Sequence, residues 1–486
     1  MYEKEYREAM EQLPFSPDFQ RRTEERMKAR RPRRRRRRWP AAVAALLALA
    51  LGVNALFWPS VGSSGAVPGL RSCAAAQPEY PDYPRQGRLT FLTNYHERMR
   101  DYRSTIGELD RDGYAAAAAA FSDRSAALTL AGAPGENRIC SPVNLWFALS
   151  MLAEATAGES REQILSALGL EDLDSARQQA GVLWRTLYQD NGLSGILPAN
   201  SLWLDRDVTY DQNTVDTLAQ SYYAGTYRVD MGTDKADKAI RSWLSAQTSG
   251  RLEGAVKGVS TSPETVLALF STLRYYGEWS KKFDASKTYD DIFTKADGTE
   301  LTVPFMHRSA SHDSFATICV EGYNAARLYT ENGSVWFILP DEGYSADDLA
   351  ADPALWASLR DEELTEYRRV EWSVPKFDVS STLELGDTMK ALGVTDVFDP
   401  ARSDFSALSP GYPEPITLSS ARQSARVEAD EEGIRGVSFV ELMGAGAAAP
   451  PDETCIMDLD RPFLFVITSP VEGVPLFAGV VHDPTG

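Results

Sequence analysis

The chain has few residues of the types that perform catalysis or hold metals. Its 486 residues include four histidines and four cysteines, and none of these stands at the spacing of a zinc protease or another metal site. There is no nucleophile elbow, phosphate-binding loop or dinucleotide fingerprint. The Gly/Ala tract at residues 443–451 lacks the Lys-Ser/Thr of a phosphate loop and leads into two prolines. Adjacent carboxylates such as Asp347 and Asp348 are interpreted as surface charge. We therefore predict no catalytic residue, no metal, no cofactor, and a protein that is not an enzyme.

The sequence also lacks an overall positive charge, because its net charge is -19. This argues against nucleic acid as the main partner. The charge is unevenly divided. Residues 1–39 contain 14 Lys and Arg against 7 Asp and Glu, a net charge of +7, so the remainder carries -26. A basic end on an acidic body requires an explanation.

Residues 41–57 supply the explanation, since they form a hydrophobic run without charge, AAVAALLALALGVNALF. At about 1.5 Å per residue, a helix of this length just spans the hydrocarbon core of a bilayer. Six arginines at 33–38 precede it, and the positive-inside rule keeps that flank cytoplasmic. A cleaved secretory signal peptide, which would leave a secreted protein, is the alternative. We predict a basic cytoplasmic tail at 1–39, a transmembrane anchor at 40–58 and an extracellular remainder.

The extracellular remainder divides into a linker and a folded domain. Residues 59–113 are rich in Pro, Gly, Ser and charge and read as a stalk. From residue 114 onward helical and strand patterns alternate densely, with helices mainly early and strands mainly late. Helices are predicted at 144–157, 162–168, 213–224, 235–248 and 384–392, and strands at 316–320, 334–339, 369–374, 462–467 and 476–481. This order predicts an α+β domain with large sheets.

The four cysteines show neither a metal spacing nor a disulfide framework. They are Cys73, Cys140, Cys319 and Cys455. Outside the cell they can pair, but the fold should not need a disulfide.

Eleven segments of the domain carry a family resemblance through their order and spacing. They are NRICSPVNLWFALSMLAEATAGESREQILSALGL (137–170), ANSLWL (199–204), AIRSWLSAQTSGRL (239–252), LRYYGEWSKKF (273–283), VPFM (303–306), FILPDEG (337–343), VPKFDVSSTLELGDTMKALGVTDVFDP (374–400), DFSAL (404–408), EADEEG (428–433), RPFLFVI (461–467) and PLFAGVVHDP (475–484). Together they resemble the serpin family over residues 115–486. The resemblance implies helices packed on large mixed and antiparallel β-sheets, with an exposed reactive-centre loop.

The resemblance also implies a mechanism of protease trapping. A serine protease attacks a carbonyl of the loop and forms an acyl-enzyme with its own nucleophile and oxyanion hole. The cut loop then inserts as a new strand in the large sheet and drags the protease with it. The expected protein is an extracytoplasmic, monomeric inhibitor of serine proteases. A bacterial cell surface is expected by analogy alone.

The hinge of the loop departs from the inhibitory pattern of the family, which favours Thr or Ser after the glycine and then small residues. The resemblance places the hinge at Glu432 and Gly433. Because strand side chains alternate, the predicted inward set is Ile434, Gly436, Ser438 and Val440. None is charged, so insertion is not blocked. Burying Ile434 and Val440 is expected to favour insertion by about 1.5–3 kcal/mol each. A slip of one residue in register would reverse this conclusion.

The predicted reactive bond joins Ala447 to Ala448, about 14 residues beyond the hinge glycine in inhibitory relatives. Residues 444–449 are all small, which suits a protease with a shallow primary pocket, elastase-like or subtilisin-like. Cleavage at Met443 would leave too short a strand. The competing interpretation is a merely flexible Gly/Ala loop.

The resemblance further places a polar network under the moving strands and an aromatic residue at the loop's entry. The network positions are Ser141, Asn144, Ser271 and Gln423, where the family more often has Ser, Ser, Asn and His. All four can form hydrogen bonds, so the network is either rebuilt or drifted. Trp279 matches the tryptophan near the entry, where we expect it to serve packing.

Two other functions stay open at this stage. One is a non-inhibitory serpin that acts as a binding module. The other is a transmembrane sensor whose tail signals when the outer domain is cleaved. The hinge favours inhibition, and the short tail offers little to a signalling function.

Overall fold

The computed structural model describes residues 72–76, 101, 104–105, 107–108, 113–132, 134–190, 195–309, 314–330, 333–434, 453–470 and 473–486. The predicted tail and anchor lie outside these ranges. Within them, every helix is too short or too polar to cross a bilayer.

The helices form most densely in the first part of the domain. They are α1 (Tyr114–Leu130), α2 (Pro142–Ala155), α3 (Gly158–Leu168), α4 (Leu173–Leu187), α5 (Gln212–Ser221), α6 (Asp234–Gln247), α7 (Glu253–Lys257), α8 (Ala346–Ala350), α9 (Pro353–Ser358) and α10 (Gly386–Ala391). Their starts follow local chemistry. The carboxylates of Asp172 and Asp211 accept backbone hydrogen bonds at the starts of α4 and α5, and Pro142 occupies the first turn of α2.

The strands form two sheets. They are β1 (Arg138–Cys140), β2 (Gln189–Asp190), β3 (Gly195–Asp205), β4 (Gly225–Val229), β5 (Leu267–Glu278), β6 (Thr288–Thr294), β7 (Glu300–Arg308), β8 (Phe315–Val320), β9 (Tyr323–Thr330), β10 (Gly333–Pro340), β11 (Glu366–Pro375), β12 (Phe377–Glu384), β13 (Arg422–Ala429), β14 (Gly433–Ile434), β15 (Thr454–Asp458), β16 (Phe463–Thr468) and β17 (Pro475–Val481). One sheet runs β1-β17-β16-β10-β9-β8-β11-β7-β6, with β15 beside β11. The other runs β12-β13-β14-β5-β3-β2, with β4 beside β3.

Both sheets contribute to one large core together with the early helices. Trp146 and Phe147 of α2 pack there with Phe463 and Phe465 of β16. A second cluster lies on the other side of the larger sheet against α8 and α9. A third lies between the smaller sheet and α6. Most strand pairs are antiparallel, but β3–β4 and β11–β15 are parallel. The predicted α+β architecture with mixed and antiparallel sheets is confirmed.

The predicted elements are present with shifts of a few residues at their ends. The helix expected at 213–224 spans Gln212–Ser221, and the strand expected at 369–374 spans Glu366–Pro375. The expectation that strands come mainly late holds only in part, because β3, β4 and β5 interrupt the helices.

Part of the predicted stalk contacts the domain. Residues 72–76 lie along β4, where Cys73 N–H donates to the Thr226 carbonyl at 2.8 Å and Thr226 N–H donates to the Ala74 carbonyl at 3.0 Å. The two chains run antiparallel there. This short piece therefore extends the edge of the smaller sheet.

The interpretation of Asp347 as surface charge is wrong. Its carboxylate accepts hydrogen bonds from Arg138 at 2.5 Å and from the backbone N–H of Gly135 at 3.2 Å, and it lies 3.1 Å from His482 Nε2. Arg138 and His482 are buried, and burying a charged or polar group is costly unless it is paired. Asp347 supplies that pairing.

Candidate functional site

The hinge lies between two strands of the smaller sheet. In β14, Gly433 pairs with Glu278 and Ile434 pairs with Gly277 of β5. On the other side Ile434 pairs with Ala429 of β13. Within the ranges described above, β5 and β13 make no pair with each other, so β14 is what joins them. We call the space between β5 and β13 beyond Ile434 the slot.

Gly433 is required by the closeness of the β5 backbone. A Cβ atom at this position would lie 2.4 Å from the carbonyl oxygen of Gly277 and 2.5 Å from Cα of Glu278. Backbone atoms cannot move aside cheaply, so a side chain would push the hinge out of the sheet. Ile434, the next residue, is 2% exposed and packs into the large core.

The chain enters β14 through a tight turn, residues 430–433, which we call the hinge turn. Asp430 N–H donates to the Gly433 carbonyl at 3.0 Å, and Gly433 N–H donates back to the Asp430 carbonyl at 3.3 Å. The carboxylate of Asp430 also accepts from Glu432 N–H at 2.9 Å. An Asp that caps its own turn in this way is a common turn-forming device.

Trp279 holds the hinge turn to the end of β5. Its indole Nε1–H donates to the Asp430 carbonyl at 2.8 Å, and its backbone N–H donates to the Glu432 carbonyl at 3.1 Å. Phe283 N–H donates to the Glu431 carbonyl at 3.1 Å, and the rings of Trp279 and Phe283 meet edge to face. Trp279 is buried, so it combines packing with a specific hydrogen bond to the turn.

Two lysines pair with the carboxylates of the hinge turn. Lys282 Nζ lies 2.6 Å from Glu432 and 2.8 Å from Glu278, and Lys376 Nζ lies 2.8 Å from Glu431. Partial burial is the largest influence on Glu431 and opposes its charge, but the hydrogen bonds from Lys376, from its own backbone N–H and from Thr288, together with the charge of Lys376, outweigh it and lower the pKa of this carboxylate. Partial burial likewise opposes the charge of Lys282, yet its two glutamates raise its pKa.

The strand on one side of the slot is uncovered along part of its length. Residues 267–271 of β5 are all half-buried, whereas residues 275–278, next to β14, are buried. Consecutive strand residues point to opposite faces. Side chains on both faces of this part of β5 are therefore partly exposed, and among the described strands only β3 pairs with it there.

The predicted network residues meet at the start of α2, beneath the slot. Ser141 N–H donates to the Gln423 side-chain oxygen at 2.7 Å, and the Gln423 amide donates back to the Ser141 carbonyl at 2.8 Å. Ser141 Oγ donates to the Leu476 carbonyl at 2.7 Å. Ser271 Oγ donates to the Asn144 side-chain oxygen at 3.3 Å. Since Gln423 lies on β13 and Ser271 on β5, both walls of the slot are tied to the same helix end.

The remaining predicted site residues lie outside the described part of the chain. They are Gly436, Ser438, Val440, Ala447 and Ala448. Sequence reasoning missed Asp430, Lys282 and Lys376. The run Asp-Glu-Glu-Gly at 430–433 carries a turn signal, but nothing in the sequence pairs it with lysines more than fifty residues away. Among the described residues, no three His, Cys, Asp or Glu side chains lie close enough to hold a metal ion.

The fold places a hinge between two strands of the smaller sheet, and comparisons with known proteins identify the family to which such a fold belongs. Residues 116–484 match the model of the family described as "Serpin (serine protease inhibitor)". The chain belongs to the serpin family.

Relatives of known sequence or structure extend this result. Alpha-1-antiproteinase F of Cavia porcellus is 27% identical over 356 residues, which cover 72% of this chain and 85% of that protein. The native-state crystal structure of the thermophilic serpin tengpin matches with a TM-score of 0.65 and 23% identity over 75% of this chain and 94% of tengpin. Thyroxine-binding globulin in complex with thyroxine matches with a TM-score of 0.64 and 23% identity over 76% and 99%. The structural matches speak for the fold alone.

Proposed function

We propose that this serpin inhibits serine proteases by inserting its cleaved loop into the slot. The observation that supports this most directly is β14. Gly433 and Ile434 already pair with β5, and Ile434 pairs with β13, while the strands beyond them make no described pair with each other. In this proposal, Gly433 and Ile434 are the first paired residues of a strand that the rest of the loop would continue between β5 and β13.

Continuing the register of β14 assigns each later loop residue a position in the slot. Because Ile434 faces Gly277 and Ala429 in antiparallel pairs, Val440 would face Ser271 on β5 and Gln423 on β13. Directly opposed residues share a face of the sheet. Ser271 and Gln423 bond to the start of α2, so Val440 would point inward, as the alternation of side chains predicts.

The same register bears on where the loop is cut. Residue 444 would face Leu267, the first residue of β5, so the loop fills this strand as far as residue 444. A cut between Ala447 and Ala448 leaves enough chain for this and a short tether to the protease. A cut after Met443 leaves too little. The small residues at 444–449 support a target of elastase-like or subtilisin-like specificity.

The proposal includes a location. The uncharged run at 41–57, preceded by six arginines, supports an anchor that holds the serpin domain on the outer side of a membrane. Proteases met there would be extracellular or periplasmic ones. A secreted form would result if the run is instead a signal peptide.

The decisive experiment mixes the full chain with an elastase-type protease and examines the products on a denaturing gel. A covalent band near the summed masses is expected. Ala447→Asp should abolish cleavage and the band together, because a shallow apolar pocket does not accept a carboxylate.

Two further variants separate insertion from cleavage. Val440→Asp places a charge inside the slot, so the loop should still be cut but no covalent band should form. Val437→Asp is the matched control, since the register places residue 437 on the outer face opposite Arg274 and Arg426, where a carboxylate is tolerated. Equal trapping by both variants would refute the proposed register.

The outcome can also refute inhibition itself. If the loop is cut, no band forms with any protease tested and the melting temperature of the cut product does not rise, then the loop does not insert beyond the hinge. The protein would then be a binding or sensing module, and thyroxine-binding globulin, whose structure holds thyroxine, would be the more informative relative.

A further inference from the structure

Two of the four cysteines lie side by side where the loop rejoins the body of the domain. Cys455 belongs to β15, the first strand after the loop, and Cys319 lies near the end of β8. Their sulfur atoms are 3.9 Å apart, at hydrogen-bonding distance for thiols. Both strands pair with β11, β8 along Glu366–Arg368 and β15 along Arg369–Ser373.

β15 is attached to the sheet by a single ladder. In the part of the chain described here, its strand partner is β11 alone. Alternate residues of β15 are buried, and Cys455 is one of them at 6% exposure. Because β15 begins at Thr454 and is the first described strand that follows the loop in the chain, any pull on the loop acts directly on this strand.

The two thiols differ in reactivity from the other cysteines. Cys319 is exposed and Cys455 is buried. The hydrogen bond with Cys455, helped by the charge of Arg368, lowers the pKa of Cys319 to about 7, which favours the thiolate form that attacks disulfides. Burial instead raises the pKa of Cys140 to about 12. The pair thus joins an accessible nucleophile to a neighbouring thiol.

We propose that Cys319 and Cys455 form a reversible disulfide that fastens β15 to the end of β8. The oxidant is a disulfide, either of a small thiol compound such as oxidised glutathione or of a thiol–disulfide oxidoreductase. The Cys319 thiolate attacks one of its sulfurs, and one thiol leaves. Cys455 gives up its proton and attacks the mixed disulfide at Cys319, which releases the second thiol. Two protein thiols are oxidised and one donor disulfide is reduced. The protein sulfurs must approach by about 1.9 Å to reach a bond of about 2.05 Å.

The disulfide would act on the uncut loop only, and this consequence rests on the proposed function. Residues 433–444 would occupy roughly 36 Å of the slot at about 3.3 Å per residue. β15 lies near the hinge end, because Asp458 pairs with Ser373 of β11, and Phe377, four residues further along the chain, pairs with Ala429 beside Ile434. From residue 444 to residue 454 the chain makes ten Cα–Cα steps, about 33–36 Å when fully extended, which leaves no slack for a return along the slot and across to β15 in the other sheet. Complete insertion of an uncut loop therefore requires β15 to leave β11, whereas a cut loop inserts without moving it.

The test compares the full chain in reduced form and after treatment with oxidised glutathione. Intact mass and peptide mapping should show a Cys319–Cys455 bond that dithiothreitol removes. Hydrogen exchange of the β15 amides should slow by at least about tenfold on oxidation. Cys319→Ser and Cys455→Ser should abolish both effects, whereas Cys73→Ser, which replaces the other exposed cysteine, should leave them intact.

Each outcome tests whether the disulfide forms and whether it fastens β15. If the folded chain forms no Cys319–Cys455 bond, the proposed disulfide site is refuted. If the β15 amides exchange equally fast in the reduced and oxidised forms, the proposal that the disulfide fastens β15 is refuted. Trapping is measured in parallel with the reduced and the oxidised uncut chain. If β15 exchange slows on oxidation but neither the reduced nor the oxidised chain traps a protease, the disulfide proposal holds and the proposed inhibitory function fails.

Discussion

Replacing Ile434 with alanine tests whether the hinge belongs to the sheet before any cleavage. Ile434 is 2% exposed and packs in the large core. Truncating such a residue costs about 2–5 kcal/mol, and about 3 kcal/mol is a central value. A domain of about 370 residues unfolds with an entropy of about 0.8 kcal/mol per kelvin. The melting temperature of the uncut chain should therefore fall by about 4 °C.

The cut product should lose stability to the same extent, because Ile434 is buried in both states. This corrects the expectation that burial of Ile434 drives insertion. A residue already in the sheet contributes nothing to the difference, so the gain from apolar burial falls to Val440. Val440→Ala should leave the uncut chain unchanged and reduce the rise in melting temperature on cleavage by about 2 °C, at about 0.8 kcal/mol per methyl group.

Scanning calorimetry of the full chain before and after cleavage measures these shifts. Ile456→Ala is the matched control, because Ile456 is 65% exposed and its truncation should change stability by less than about 0.5 kcal/mol. If Ile434→Ala leaves the uncut chain unaffected and lowers only the cut product, Ile434 enters the sheet after cleavage and the reasoning fails.

Three further predictions concern the contacts around the slot. Gln423→Ala removes two hydrogen bonds to the start of α2 and should lower the free energy of unfolding in urea by about 2 kcal/mol. Gln423→His should lower the free energy of unfolding by less than Gln423→Ala does. An equal loss would mean that the ring nitrogen does not replace the amide as a hydrogen-bonding group. Trp279→Phe keeps the packing but removes the donor to the hinge turn, so proteolysis at the hinge should accelerate. Trp356→Phe removes a comparable indole hydrogen bond in α8–α9, and it should not affect the hinge. Since the pKa of Glu431 is lowered in the folded chain, its stabilising effect is complete above its unfolded pKa and is lost as the pH falls through its folded pKa. In Glu431→Gln, the midpoint of urea unfolding should therefore fall less as the pH is lowered than it does in the unmodified chain. If Glu431→Gln behaves like the exposed control Glu363→Gln, the pairing of Glu431 with Lys376 does not stabilise the fold.

Much of the fold could be predicted because local sequence patterns indicate many of its helices and strands one by one. The helical periodicity of α5 and α6 and the apolar runs of β10 and β16 are local signals, and each matches an observed element. β13 escaped prediction. Its sequence RQSARVEA is polar and has small residues on its inward face, which suits one wall of a slot that another strand fills but does not resemble a buried strand.

The site was only partly predictable, because its contacts join distant parts of the chain. Family resemblance located Trp279 and Gln423, but the acceptor of the indole and the reciprocal bonds to Ser141 depend on the packing of β5, β13 and α2. The hinge lysines are further examples. Lys282 and Lys376 are ordinary surface residues in the sequence, and only the turn at 430–433 brings carboxylates to them.

In the proposed mechanism, the strand pairing that already exists at the hinge would affect the rate of trapping. Trapping succeeds only if insertion outruns hydrolysis of the acyl-enzyme, and a strand that begins from an existing pair need not first close a loop to start. Each following residue then gains a partner on both sides. The costly step would then come later, where the proposed register brings Val440 between Ser271 and Gln423, because both walls of the slot are tied there to one helix end. In that mechanism the start of α2 would govern how fast the slot fills, while β14 would govern where filling begins.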